Sequence, residues 1–122
     1  MAKGDDLEER LIDFAVRIVN LCDKLPRSYA GKHMAGQLLR SGTAPAAHYA
    51  EARGAESDKD FIHKLKLCLK ELNESNVWLK IITRSEVFSA YKLQAINQEC
   101  TELSRIINAS IHTTKGTPKI DN

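Results

Sequence analysis

No stretch of this 122-residue chain stays apolar for the roughly 20 residues that a membrane-crossing helix needs. The opening residues MAKGDDLEER put acids where a signal peptide carries its apolar centre, so the expected location is the cytoplasm. No segment alternates apolar and polar residues between turn signals, which leaves strands without support. Cysteine is scarce: Cys22, Cys68 and Cys100 lie far apart, without Cys-x-x-Cys spacing. Each falls on an apolar helical line, where a thiol in a reducing compartment serves as a small buried hydrophobe. Charge is almost balanced, with 18 Lys+Arg against 16 Asp+Glu for a net of +2, too small an excess to argue for nucleic acid on its own. A chain of this length fits one domain with a core of useful size.

What remains is helical period, in four segments separated by short breaks. Leu7, Leu11, Phe14, Ile18, Leu21 and Leu25 recur at spacings of three and four until Pro26 ends the first segment. Asp6 with Glu9 resembles a capping box at its start. The second segment, about residues 28 to 53, has Met34, Leu38 and Leu39 on its apolar side, continued by Ala46, Tyr49 and Ala50. Gly42 and Pro45 interrupt it. Glycine costs about 1 kcal/mol against alanine in a helix and proline removes a donor and clashes one turn back, so a bend or break near residues 42 to 45 is expected. In the third segment, about residues 57 to 84, Ser57 and Asp60 form a cap signature. Phe61, Leu65, Cys68, Leu72, Ser75, Leu79 and Ile82 then alternate spacings of four and three. A second apolar line of Ile62, Leu69, Trp78 and Ile81, with Leu67 nearby, predicts more than one neighbour for this helix. The fourth segment, about residues 90 to 112, carries Leu93, Ile96, Cys100, Leu103, Ile107 and Ile111, with Ser85 or Ser89 as candidate cap. Short connections make successive helices antiparallel, which predicts an all-α, up-down four-helix bundle over residues 1–112 and a disordered tail over 113–122.

Convergent reactive groups are few. A di-iron bundle needs Glu-x-x-His on two helices and a further Glu on each of the others. The nearest match is a single Asp60-Phe61-Ile62-His63 at a helix start, where Asp is favoured for capping alone, so no metal or cofactor is expected. The cysteines lack the cationic surroundings that make a thiolate. Arg105 and His112 stand near the end of the last helix in an order similar to the Arg-x(4–6)-His motif of HEPN-type ribonucleases, where such a pair could stabilise a phosphorane and move a proton. Ile106 departs from that motif, and a helix C-terminus attracts Arg and His through its dipole. The expectation is therefore a protein without a catalytic residue, the ribonuclease being the enzymatic alternative.

Between Pro26 and Gly54 the bases Arg27, Lys32, Arg40 and Arg53, with His33 and His48, stand against one acid, Glu51. A basic strip on helix two is a candidate surface for RNA or DNA, and the competing reading is pairing with acids on neighbouring helices. Helix three carries Ser75 at a core position, with Glu71, Asn73, Glu74 and Asn76 around it. Such a cluster sets register or partner choice, and Arg40 or Tyr49 are candidate partners across the bundle.

RSGTAPAAHYAEARGAESDKDFIHKLKLCLKELNESNVWL, residues 40 to 79, resembles the four-helix-bundle proteins related to those encoded in 23S ribosomal-RNA intervening sequences. The matching positions are Arg40, Ser41, Thr43, Glu51, Ala52, Ser57, Asp60, Phe61, Glu71, Glu74, Ser75, Trp78 and Leu79. Two places depart: Ala44-Pro45 stands where many members have Ser and a β-branched residue or Gly, and His48 stands where they have Asn. The resemblance implies a homo-oligomer, with a five-fold ring the expected form. It also implies kinship with the accessory protein of diversity-generating retroelements, which associates with a reverse transcriptase. Trp78 and Ile81 are then the candidate assembly residues. The reading is a non-enzymatic, self-assembling scaffold with RNA, DNA or a nucleic-acid enzyme as candidate partner; a protein-partner module without nucleic acid is the further alternative.

Overall fold

The computed structural model describes residues 2–116. They form α1 (Asp5–Lys24), α2 (Tyr29–Arg53), α3 (Asp58–Arg84) and α4 (Ala90–Thr114), with no strand among the described residues. Each helix packs on its neighbour in sequence, α1 and α4 close the bundle less tightly, and diagonal pairs stay apart. This is the up-down arrangement that short loops impose.

The inward stripes are the ones the period predicts. Leu11, Phe14 and Ile18 of α1, Leu65, Cys68, Leu72 and Leu79 of α3, and Leu93, Cys100, Leu103 and Ile107 of α4 are fully buried. On α2 the stripe departs from expectation. Met34, Leu38 and Tyr49 are buried as expected, but Leu39 and Ala50 face outward, while Ser41, Gly42, Pro45 and Ala52 are buried. Of the bend or break expected near residues 42 to 45, a break does not occur: α2 runs through Gly42 and Pro45 as one helix of 25 residues. Packing outweighs propensity here. A Cβ on Gly42 would stand 2.7 Å from both Cγ atoms of Ile18, so glycine allows α1 and α2 to approach closely. The Pro45 ring is enclosed in the core, where its burial offsets the ~3 kcal/mol that proline costs inside a helix.

Ser57 caps α3 as expected, accepting from the Asp60 amide, and Ser28 caps α2 by accepting from the Gly31 amide, each at 3.1 Å; the other expected caps do not form. α1 starts one residue before the expected capping box, after Gly4, which has φ 94° and no side-chain cap bond. Arg53 holds Asp5 at 2.7 Å and thereby fixes that start from the neighbouring helix. Ser89 precedes α4 without a side-chain cap bond, and Ser85 instead ends α3, its hydroxyl donating to the Ile82 carbonyl at 3.1 Å. α4 runs two residues beyond its expected end, into the segment expected to be disordered; residues 117–122 of that tail lie outside the described residues.

The three thiols bridge neighbouring helices. Cys22 donates to the Ala35 carbonyl at 3.3 Å, Cys68 to Pro45 at 3.5 Å and Cys100 to Leu72 at 3.3 Å. Burial pushes the Cys68 and Cys100 thiols up to about 12 and Cys22 up to about 11, the last two also feeling Glu99 and Asp23 respectively. No described helix is long and apolar enough to cross a membrane.

Candidate functional site

α2 and α3 meet along a polar seam at mid-bundle. Arg40 reaches across to Glu71 at 2.9 Å and also binds Glu74. Glu71 sits almost buried on the core side of α3, so its charge needs this partner. Beneath the pair, the Ser75 hydroxyl lies 2.9 Å from both the Ser41 hydroxyl and the Glu71 carbonyl. Trp78 donates its indole N–H to Glu74 at 3.0 Å, and its ring meets His33 edge-on at 5.7 Å. Two serines, two carboxylates and an arginine thus fix the register of α2 against α3. Tyr49, the other candidate partner of this cluster, is not in it and lies towards the C-terminal end of α2.

A second clasp holds the end of α2 to the start of α1. Arg53 binds Asp5 at 2.7 Å, Glu8 at 3.1 Å and the Lys3 carbonyl at 3.0 Å. The Arg53 hydrogen bond holds the Asp5 carboxyl below its usual range, and Asp5 in turn raises the guanidinium. A third clasp spans α1 and α4, where Arg10 meets Glu99 through two hydrogen bonds and Glu102 at 2.8 Å; these carboxylates raise the pKa of the arginine.

These clasps divide the basic strip expected on α2. Arg40 and Arg53 are ion-paired with acids of the neighbouring helices, Arg40 with its side chain half exposed. Arg27 and Lys32 remain exposed.

The comparisons with known proteins bear on this frame. The family model of the 23S rRNA-intervening sequence protein matches residues 6–109. The chain belongs to that family. A similar solved structure is a protein of unknown function from the S23 ribosomal protein family of Bacteroides thetaiotaomicron. The two share 38% sequence identity and a TM-score of 0.81, over 86% of this chain and 97% of that one. No curated protein matches the chain.

In this member of the 23S rRNA-intervening sequence protein family the signature residues divide by task. Arg40, Ser41, Glu71, Glu74 and Ser75 build the seam, and Ser57 caps α3 on the Asp60 amide. The Thr43 hydroxyl bonds back to the Leu39 carbonyl at 2.7 Å. Glu51 is exposed, 3.4 Å from His48 Nδ1 and 4.0 Å from Lys64. The His48 contact falls outside hydrogen-bond geometry, leaving that buried nitrogen without a partner. Trp78 is half-buried and engaged within the chain, whereas Ile81 is 41% exposed. No hydrogen bond joins Arg105 and His112. No three His, Cys, Asp or Glu among the described residues come together as metal ligands.

Two outward features escape linear reading. On α3, Lys59, Lys66, Lys70, Lys80 and Arg84 are all exposed, and at 100° per residue they fall within an arc of roughly 80° opposite the core. The acids of that helix lie elsewhere: Asp58 and Asp60 in its first turn, Glu71 and Glu74 on the α2 side. None of the five bases makes an ion pair among the described residues, and the line is about 37 Å long at 1.5 Å per residue. On α1, Ile12, Val16 and Val19 are 38%, 52% and 39% exposed at spacings of four and three, forming an apolar line on the helix face turned away from the core.

Proposed function

We propose that this protein is a non-catalytic scaffold that self-assembles and holds the phosphate backbone of RNA or DNA along the outer face of α3. The observation that carries the second half is the unpaired line of Lys59, Lys66, Lys70, Lys80 and Arg84. Five cations on one face of a helix, with no acid within that arc, make an electrostatic footprint whose affinity comes from counterion release. We therefore favour the α3 face over the α2 strip, of which Arg27 and Lys32 are exposed. Self-association is supported by the α1 line of Ile12, Val16 and Val19, apolar surface that the single chain leaves in water. A five-fold ring remains the expected form, with Trp78 and Ile81 as its candidate interface residues; Trp78 is half-buried and Ile81 is exposed.

Binding of a mixed-sequence RNA and of the matching DNA, followed at low and moderate salt, tests the first claim. Affinity that falls steeply with salt supports it, and no binding at low salt defeats it. Light scattering that gives the mass of one chain at all concentrations defeats self-assembly.

A further inference from the structure

At the end of the bundle where α1 and α3 begin and α2 and α4 finish, residues of all these helix ends line an open cavity of about 860 Å³. That volume is within the range of small-molecule sites, about 300–1,000 Å³. Its wall is apolar along Phe61, Ile106 and Ala109 and polar at Tyr49, Arg105 and Ser110.

Tyr49 marks this cavity as more than a gap between helix ends. Its side chain is only 6% exposed, it lines the cavity, and its hydroxyl makes no hydrogen bond among the described residues. A hydroxyl that lines a cavity without a partner can donate to a ligand there. Gly4 keeps space open beside it: a Cβ there would stand 2.9 Å from the hydroxyl and 3.0 Å from Arg53 Nε, and the φ of +94° itself favours glycine. Burial raises the phenol pKa, so the hydroxyl stays a donor at neutral pH. Of the cavity's two arginines, Arg53 is saturated by Asp5, Glu8 and the Lys3 carbonyl, whereas Arg105 makes no ion pair among the described residues. Lys3 is at the rim. Glu56 and Asp58, where the chain enters α3, also line the cavity. These acids disfavour a ligand of several negative charges, while the donors favour one.

We propose that this cavity binds a small organic monoanion with a flat apolar body. The body rests on Phe61, Ile106 and Ala109, and the acidic group takes the Tyr49 hydroxyl and the Arg105 guanidinium. The site is separate from the α3 face and does not depend on nucleic-acid binding.

The test uses 1-anilinonaphthalene-8-sulfonate, an aromatic monoanion whose fluorescence rises on leaving water, titrated into the full chain. The expected result is one saturable site per chain. Arg105→Gln and Tyr49→Phe are each expected to weaken it about tenfold, the scale of one hydrogen bond to a charged group. Ala109→Trp fills the cavity and is expected to abolish binding, and Lys66→Gln on the outer face of α3 leaves it unchanged. Arg105 is exposed, so its variant reads binding without a folding defect; thermal melts check the other two. No saturable binding by the wild type, binding unaffected by Arg105→Gln and Ala109→Trp, or equal affinity for 1-naphthylmethylammonium, a cation with a similar flat apolar body, overturns the proposal.

Discussion

α1 and α3 stand diagonally across the bundle, and towards the core they are built alike. Both present fully buried aliphatic residues at alternating spacings, Leu11 and Ile18 on one and Leu65 and Leu72 on the other. Turned outward, they diverge. α1 shows Ile12, Val16 and Val19 to solvent, and α3 shows four lysines and an arginine. The inward stripe determines that a helix joins this bundle. The outward stripe determines what the finished bundle can touch, and the same period that builds the core leaves it free to vary. One molecule thus carries an apolar face and a cationic face on opposite sides, suited to contact with other copies and with a polyanion.

The strongest way to break the comparison is on its shared side. Ile18→Ala on α1 and Leu72→Ala on α3 are each expected to cost about 2–5 kcal/mol in urea unfolding, because both leave cavities in a closed core. A cost below 1 kcal/mol for either would show that the two inner faces are not equivalent.

On the cationic side, the combined change Lys66→Glu, Lys70→Glu and Lys80→Glu is expected to weaken RNA binding on the order of 100-fold at low salt and to lower the salt slope by about 3. Stability should change little, since all three side chains are exposed. The paired arginine offers a contrast: Arg40→Gln, which strips Glu71 of its partner, should lower stability more than it lowers RNA affinity.

On the apolar side, Val16→Glu should reduce the mass found by light scattering while far-ultraviolet circular dichroism stays helical. Val16 is 52% exposed, so a charge there meets water in the single chain and an apolar surface only in an assembly.

The smallest expected effect belongs to the clasp between α2 and α1. Asp5 has a depressed pKa, so the stability it adds is present above the ordinary carboxylate range and fades as pH falls through its lower folded value. Arg53→Met should remove this contribution, making the loss of melting temperature below about pH 4 shallower than in the wild type.

Period alone made the inner faces of α1, α3 and α4 legible, because burial demands a repeat and a repeat is visible in one dimension. The seam was partly legible: Ser75 at a core position with Glu71 beside it signalled a polar contact, and Arg40 was one of two candidates for it. The pairing of Arg40 and Arg53 is hidden in linear order because their acids are distant in sequence. Glu71 and Glu74 lie 31 and 34 residues from Arg40, and Asp5 lies 48 residues from Arg53. The α3 bases went unnoticed for the opposite reason. In linear order they are interleaved with acids and core residues, and they separate only when the helix is wound. The helix continues through Gly42 and Pro45 because propensity is local, whereas the space beside Ile18 is supplied by another helix. The end cavity has no linear signal, as its wall is drawn from the termini of four helices.

The thiols carry a practical consequence. With Cys22 pushed up to about 11 and the other two to about 12, no more than roughly one native thiol in ten thousand is ionised at neutral pH. The chain is therefore close to silent towards maleimides as it stands. One cysteine placed on an outer face, Lys66→Cys for instance, would take a dye or spin label almost alone, and distances between labelled subunits could be measured without removing the native cysteines.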